Sequence, residues 1–167
     1  MKKEITRQFI EKIVVNSGVG RLSQSANFND KILPEILSDL ASLTGQKPRP
    51  RPVKKSIAGF KVREGAVVGV MVTLRGKRMA DFLTKLVNVV LPRVRDFRGV
   101  PLKAVDANGN LTIGIKEHIV FPEISAETTK VNFGLQATVV PREKKRDSAI
   151  EAFRKLGVPF RVETKKK

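Results

Sequence analysis

The residues of this sequence best suited to binding chemistry are its cations, and seven of them fall in one segment without acids. Between Gly45 and Arg63 the sequence has no Asp or Glu, and its cations are Lys47, Arg49, Arg51, Lys54, Lys55, Lys61 and Arg63. Prolines alternate with the first of them, which favours an extended edge strand or a loop over a helix. Arginines without nearby acids are suited to bidentate contact with phosphate, although such a run is also typical of a solvated face.

Two further groups of cations are predicted to lie in loops. They are Arg75, Lys77 and Arg78 before a helix, and Arg93, Arg95 and Arg98 around Phe97. The N–H groups at the start of that helix would add to the attraction for phosphate. Most of the nine phenylalanines fall in apolar patterns, with Phe60 and Phe97 as exceptions. Because single-strand binders usually stack bases on exposed aromatics, this composition favours structured RNA bound by shape and phosphate.

The total charge supports the same class of partner. Thirty-three Lys and Arg against 16 Asp and Glu give 33 − 16 = +17. Such a chain repels itself unless an anion balances it, so nucleic acid is the first candidate partner and an anionic membrane surface the second. No apolar run is long enough to span a bilayer, and we predict nucleic acid rather than a membrane as the partner.

Catalysis is not indicated. His118 is the single histidine, and Glu117 beside it would point to the opposite face of a strand, so a partly buried or surface histidine is the favoured interpretation. The absence of cysteine excludes disulfides and thiol chemistry. The carboxylates are scattered without metal-ligand spacing, and Gly18-Val19-Gly20 is a turn rather than a nucleotide fingerprint. We predict no enzyme activity, no metal, no cofactor and no small-molecule substrate.

The elements that must position these residues follow from the apolar periods. Strands are predicted at 10–16, 66–74, 111–115 and 135–139, and the proline-arginine stretch is predicted to be an extended edge or a loop. Helices are predicted from Phe28 to Leu43 after an Asn27 cap, from Met79 to Val90 before Pro92, and from an Asp147 cap to Gly157. The element order β-α-β-β-α-β-β-α predicts an α+β two-layer sandwich, with a mostly antiparallel sheet, helices packed on one face and a split βαβ-like layout. A chain of 167 residues with 41% hydrophobic residues suits a single domain over 1–167.

Several strings, in order along nearly the whole chain, together resemble one family. They are IEKIVVN (10–16), GVG (18–20), TGQKP (44–48), KSIAGFKVR (55–63), VTLRG (72–76), PRVRDFRG (92–99), GIKE (114–117), FPEI (121–124) and VPF (158–160). The sequence resembles the ribosomal protein L5 family of the large subunit, in its bacterial type with a shortened N-terminus. Family members have a longer leader with a helix before the first strand, where this chain has only Met1–Phe9.

The resemblance implies a structural constituent of the large ribosomal subunit in the cytoplasm. Its implied partners are 5S rRNA and large-subunit rRNA in the central protuberance, P-site tRNA, and a protein of the small-subunit head. The implied RNA-binding residues are Asn16, Gly18, Gln46, Lys47, Thr73, Arg75, Lys77, Arg93, Arg95 and Arg98. The implied tRNA-contact loop carries Lys54, Lys55, Phe60, Lys61 and Arg63, and the implied subunit-bridge loop carries Glu123 and Glu127.

Two interpretations remain open from the residues themselves. The alternative to a ribosomal protein is a nucleic-acid chaperone or architectural protein that binds phosphates nonspecifically. At the other end of the chain, the Arg142–Arg146 cluster and the tail Lys165–Lys167 would add phosphate contacts, or simply be solvated.

Overall fold

The computed structural model of this chain describes residues 2–60, 62–125, 127 and 129–161, without the side chains of residues 2, 3 and 5. Its α-helices are α1 (Lys2–Phe9), α2 (Leu33–Thr44), α3 (Gly76–Lys85), α4 (Leu91–Arg93) and α5 (Arg146–Lys155). Its strands are β1 (Ile10–Gly18), β2 (Arg49–Pro52), β3 (Val67–Leu74), β4 (Leu111–Ile115) and β5 (Leu135–Pro141). No helix within the described ranges is both long and apolar enough to cross a membrane.

The strands form a five-stranded antiparallel sheet in the order β2-β3-β1-β5-β4. The proline-arginine stretch is the edge strand β2, with Arg49 opposite Met71 and Arg51 opposite Gly69. An edge strand tolerates prolines because one of its sides has no partner strand to receive N–H groups. The predicted α+β class and the antiparallel sheet of a two-layer arrangement are confirmed.

Helix α1 is absent from the predicted order, which began with a strand. Eight residues make a helix that is marginal by itself, and this segment is mostly polar, with only Ile5 and Phe9 as apolar residues at helical spacing. Tertiary contacts support it: Thr6 is buried, and the backbone N–H of Arg142 donates to Phe9 O over 2.9 Å. The Arg142 side chain donates to Arg7 O over 3.3 Å.

Helix α2 follows a π-turn at Phe28–Ile32, so the predicted helical period is present but the α-helix begins only at Leu33. Pro34 lies in its first turn, where a missing N–H breaks no helical bond. Asn27 holds the N-cap position of the π-turn, as predicted, but its side chain makes no capping hydrogen bond. Gly45 ends the helix as predicted, with φ +66° and its N–H on Ala41 O at 2.8 Å.

Two other predicted helix boundaries needed correction. Lys145, not Asp147, holds the N-cap position of α5, and Asp147 lies in the first turn, where a carboxylate still interacts favourably with the helix dipole. Pro92 does not close the helix before it, since it occupies the first turn of α4, which ends at Arg93. Gly157 terminates α5 as predicted, with φ +90°.

The chain divides into two compact units, each assembled from separated segments. The first comprises Met1–Ile13, Leu74–Ile113 and Ala137–Lys167, and the second comprises Val14–Thr73 and Gly114–Gln136. The first unit buries apolar side chains of α3 and α5 such as Phe82 and Phe153, and the second buries Ile36 and Leu40 of α2. Because both units are discontinuous in sequence, a single domain over 1–167 stays our prediction.

Candidate nucleic-acid interface

In the second unit, one face of β3 and β1 is left open. Val70 and Val72 are buried, and the alternation of a strand therefore puts Gly69, Met71 and Thr73 on the other face. Asn16 and Gly18 of β1 are exposed, while Val15 and Ser17 are buried. The Cβ of Arg51 and Oδ1 of Asn16 both lie beside the backbone of Gly69, within 4.0 Å of where a Cβ there would stand. The open face therefore presents an amide and the base of an arginine side chain together.

Gln46 and Thr73, two of the predicted RNA-binding residues, are in direct contact. Nε2 of Gln46 donates to the backbone oxygen of Thr73 over 3.1 Å. The turn that places Gln46 is fixed by the Thr44 hydroxyl, which lies 2.6 Å from Leu40 O and 3.0 Å from Gln46 O. Lys47, the next residue, is exposed. The end of α2 therefore places the Gln46 amide and the Lys47 cation beside the C-terminal end of β3.

An open depression of about 580 Å³ continues this surface. Asn16 and Gly18 line it together with residues that the sequence did not single out, which are Gly114, Ile115, Lys116, Gly134, Leu135 and Gln136. A Cβ at Gly18 or Gly114 would meet no atom within 4 Å, so packing does not require glycine there. The sequence did contain a signal for Gln136 as a surface residue. It alternates with Leu135 and Ala137, which are buried, and such alternation predicts a strand with one exposed face.

The segment after β2 is a structured hairpin. The N–H of Val53 donates to Ala66 O over 2.9 Å, and the N–H groups of Ile57 and Val62 donate to each other's carbonyl oxygens over 3.0 and 3.2 Å. At its tip Phe60 is 73% exposed, which matches its predicted place outside the core.

The cations of the acid-free segment are open to solvent. Lys61 lies outside the described residues, and the others are exposed: Lys47, Arg49, Arg51, Lys54, Lys55 and Arg63. Within the described ranges these six make no ion pair. Their positive charge is therefore not balanced locally.

In the first unit, Arg75 has an internal partner. It precedes α3 with extended backbone, and its guanidinium lies 3.4 Å from Oε1 of Glu11. Lys12 first, and Arg75 next, lower the pKa of the Glu11 carboxyl, and the Arg75 side chain remains 57% exposed. Lys77 is exposed in the first turn of α3.

The remaining predicted cations of the first unit surround a sharp turn. Arg93, Arg95 and Arg98 are exposed and Phe97 is half-buried. Asp96 has φ +55°, which is uncommon for a residue other than glycine, and Gly99 has φ +95°. The predicted RNA-binding residues thus divide between the units, and Asn16, Gly18, Gln46, Lys47 and Thr73 lie in the second.

The connection from β4 to β5 carries the two predicted acids, Glu123 and Glu127, and both are exposed. His118 at its start is fully buried and stacks on Phe133, with ring centroids 3.9 Å apart. The expectation of a partly buried or surface histidine is therefore wrong, because the ring fills a pocket of the second unit. Its Nε2 lies 3.3 Å from Oδ2 of Asp39, whose pKa is raised by burial, an effect that His118 opposes.

No cluster of metal-ligating side chains is found in the part of the chain that the structure describes. The polar groups of the predicted RNA-binding residues described above are amides, hydroxyls and cations. Amides and hydroxyls engage ribose hydroxyls and base edges, and cations engage phosphates. This combination suits RNA.

Comparison with known proteins gives a consistent family. The sequence model of a family described as "Ribosomal protein L5" matches residues 7–63, and the model for the C-terminus of the same ribosomal family matches residues 67–160. A "Large ribosomal subunit protein uL5" of Halothermothrix orenii is 48% identical over 151 residues, 90% of this chain and 82% of the relative. Proteins of the same name from Rubrobacter xylanophilus (49% identical, 91% of this chain) and Limosilactobacillus fermentum (50%, 90%) each have 82% of their length covered.

Proposed function

This chain belongs to the ribosomal protein L5 family, and from this premise we propose that it binds 5S rRNA in the central protuberance of the large ribosomal subunit. It is a structural, non-enzymatic constituent of the large subunit and resides on cytoplasmic ribosomes. The finer assignments, to particular RNAs, to P-site tRNA and to the small subunit, are our proposals.

The open face of the second unit is the observation that carries the 5S rRNA assignment. Asn16 and the Gln46–Thr73 contact supply groups that engage ribose hydroxyls, and Lys47 and Arg51 supply charge for phosphates at the same surface. Neutral amides discriminate RNA partners, whereas cations alone bind any phosphate backbone. The face therefore supports recognition of one RNA over nonspecific attachment.

Large-subunit rRNA is the proposed second partner, bound by exposed cations of the first unit. Arg93, Arg95 and Arg98 lie around the turn at Asp96, where the left-handed backbone fixes the direction of the chain. Arg75 and Lys77 add charge at the start of α3, whose N–H groups favour phosphate.

The hairpin after β2 is the proposed contact for P-site tRNA. Its hydrogen-bonded stem holds Phe60 at an exposed tip, flanked by Lys54, Lys55 and Arg63. A hydrogen-bonded stem lowers the conformational entropy lost on binding, and an exposed ring next to cations suits both a base surface and a phosphate. The acids of the β4–β5 connection, Glu123 and Glu127, suit a basic protein of the small-subunit head.

A competition titration tests the 5S rRNA assignment. Asn16→Ala removes an exposed side chain of the open face, and we expect it to weaken binding of 5S rRNA about tenfold, as a lost hydrogen bond to a buried partner predicts. Asn29→Ala is the matched control, since Asn29 is an exposed asparagine of the same unit outside the open face.

The competitor is an unrelated RNA duplex of equal length. Preference of the wild type for 5S rRNA, reduced in Asn16→Ala and retained in Asn29→Ala, is the expected result. Equal affinity for both RNAs would instead support the nucleic-acid chaperone alternative, with nonspecific phosphate binding, and overturn the proposal.

A further inference from the structure

The long connection between β4 and β5 is closed at its base by an unusual pair. The backbone N–H of His118 donates to Phe133 O over 3.1 Å, as in a β-bridge. The return bond uses a side chain, because the N–H of Phe133 donates to Nδ1 of His118 over 3.5 Å. An imidazole nitrogen thus does what a backbone carbonyl does in an ordinary bridge.

This bond fixes the tautomer of the ring. Because Nδ1 accepts a hydrogen bond, the proton of a neutral imidazole must reside on Nε2. Nε2 lies 3.3 Å from Oδ2 of Asp39 on α2, which is an ion-pair distance, and both atoms are buried without a hydrogen-bond partner among the described residues. The ring also stacks on Phe133 with an angle of 15° between planes, so ring orientation is set from three sides.

A second acid of α2 holds the same connection further along. Oε1 of Glu35 accepts the backbone N–H of Lys130 over 2.8 Å. Glu35 and Asp39 are four residues apart, so they share one face of the helix. Two successive turns of α2 therefore contact the β4–β5 connection near both of its ends, at His118 and at Lys130.

We infer that Glu35, Asp39 and His118 form a latch that positions the 118–133 segment against α2. The inference rests on the proposed function in one respect, namely that this segment carries Glu123 and Glu127 toward a small-subunit protein. The three are positioning residues: Asp39 orients the imidazole, the imidazole closes the base of the segment, and Glu35 holds Lys130. The charged and titratable groups that meet at the latch are Glu35, Asp39 and His118.

Amide hydrogen exchange of the full chain, read by NMR, tests the latch directly. His118→Asn puts a carbonyl oxygen at the δ position, so it keeps an acceptor for Phe133 and loses the contact with Asp39. His118→Gln puts an amide N–H at the ε position, so it keeps a donor for Asp39 and loses the acceptor. We expect exchange of the Phe133 amide to rise about tenfold in His118→Gln and less in His118→Asn.

Glu35 gives a matched pair of variants. Glu35→Gln retains an oxygen that accepts from Lys130, and Glu35→Ala does not, so faster exchange of the Lys130 amide is expected in Glu35→Ala alone. Glu117→Gln, at an exposed position next to His118, is the control and should change neither amide. In the wild type, ¹⁵N shifts of the ring should report a protonated Nε2 and a bare Nδ1. A protonated Nδ1 in the neutral ring, or unchanged exchange in His118→Gln and Glu35→Ala, overturns the latch.

Reassociation of large subunits carrying each variant with small subunits separates this inference from the proposed function. Weaker association with both Glu123→Gln/Glu127→Gln and Glu35→Ala supports the latch as the positioning device of the bridge. If only the Glu123→Gln/Glu127→Gln variant weakens association of the subunits, the positioning role of the latch is overturned and the proposed bridge is supported. Unchanged association with both, together with faster exchange of the Lys130 amide in Glu35→Ala, confirms the latch as a fastening of the segment and overturns the bridge.

Discussion

Glu11 illustrates how a single residue sets the charge available at the proposed interface. Its carboxylate lies 3.4 Å from Arg75 and 3.5 Å from Lys12. The negative charge therefore partly neutralises two cations that would otherwise be available to phosphate. We expect Glu11→Gln to tighten RNA binding about two- to fivefold, which is the range of an exposed ion pair. The measurement is a filter-binding titration at low salt, where such pairs are least screened.

The control for Glu11→Gln must remove one negative charge at another position of the same unit. Glu151→Gln does so on α5 of the same unit, at an exposed position. A larger gain in Glu11→Gln than in Glu151→Gln attributes the effect to the freed Arg75 and Lys12. Equal gains in both variants would mean that net charge alone is responsible.

Asp39 links the stability of the fold to pH. Burial raises the pKa of Asp39, so its stabilising contribution is fully present below the ordinary value of 3.8 and is lost as pH rises through the folded-state pKa. Asp39→Asn cannot ionise and still offers Oδ1 to Nε2 of His118. We therefore expect denaturant melts to show Asp39→Asn gaining free energy of unfolding, relative to wild type, as pH rises from 3.8 through the folded-state pKa of Asp39. A difference that stays constant with pH would contradict this.

At the scale of elements, the edge strand β2 carries two exposed arginines. Arg49 and Arg51 lie opposite Met71 and Gly69, and both are exposed without an ion pair among the described residues. Each phosphate neutralised contributes about 0.7 to 0.9 to the log–log salt slope of binding. Replacing both by Gln should reduce the magnitude of the slope for 5S rRNA by about 1.4 to 1.8.

Arg154→Gln/Lys155→Gln serves as the comparison for β2. It removes two exposed cations from the end of α5 in the first unit. A slope that changes only for the β2 variant assigns those two phosphate contacts to the edge strand. The same change in both variants would indicate attraction by total charge.

The loop between α4 and β4 requires a glycine at position 99. Gly99 has φ +95°, and a Cβ there would stand 2.8 Å from the backbone nitrogen of Arg161. Backbone atoms cannot move aside as a flexible side chain can, and Val100 is bridged to Phe160 beside them. We expect Gly99→Ala to lower the free energy of unfolding by about 2 kcal/mol or more.

Gly59→Ala provides the contrast, because a Cβ at Gly59 meets no atom within 4 Å. Chemical denaturation of both variants should show a loss for Gly99→Ala and a change within about 0.5 kcal/mol for Gly59→Ala. Similar losses in the two would refute the argument from close approach.

For the whole molecule, the +17 charge predicts opposite responses of folding and binding to salt. Screening relieves self-repulsion of the free protein, and it weakens attraction to RNA. We expect Tm of the free chain to rise by about 2–4 °C between roughly 20 and 200 mM KCl, which corresponds to about 1 kcal/mol at this size. Over the same range RNA affinity should fall. A Tm that falls with KCl would show that ion pairs outweigh self-repulsion.

Much of the fold follows from local pattern, and the exceptions have physical causes. The periods of α2, α3, β3, β4 and β5 are visible in sequence, because each buries one face against a core. Helix α1 was missed because its eight residues are mostly polar and make a marginal helix alone, and the contacts with Arg142 that support it are distant in sequence. Asn27 holds its N-cap position without a capping hydrogen bond, and Asp147 does not hold the N-cap of α5, because residue type permits a cap but local geometry decides whether it forms.

The sequence by itself determined the charge, the acid-free segment, the class of partner and the family, since these depend on residue types and their order. Only the tertiary structure decided which distant residues meet: Gln46 with Thr73, 27 residues apart, and Glu11 with Arg75, 64 apart. The same holds for the burial of His118 and its contact with Asp39. Such pairs depend on which strands and helices pack together. That choice is made by the free energy of the whole core, which no local stretch of sequence contains.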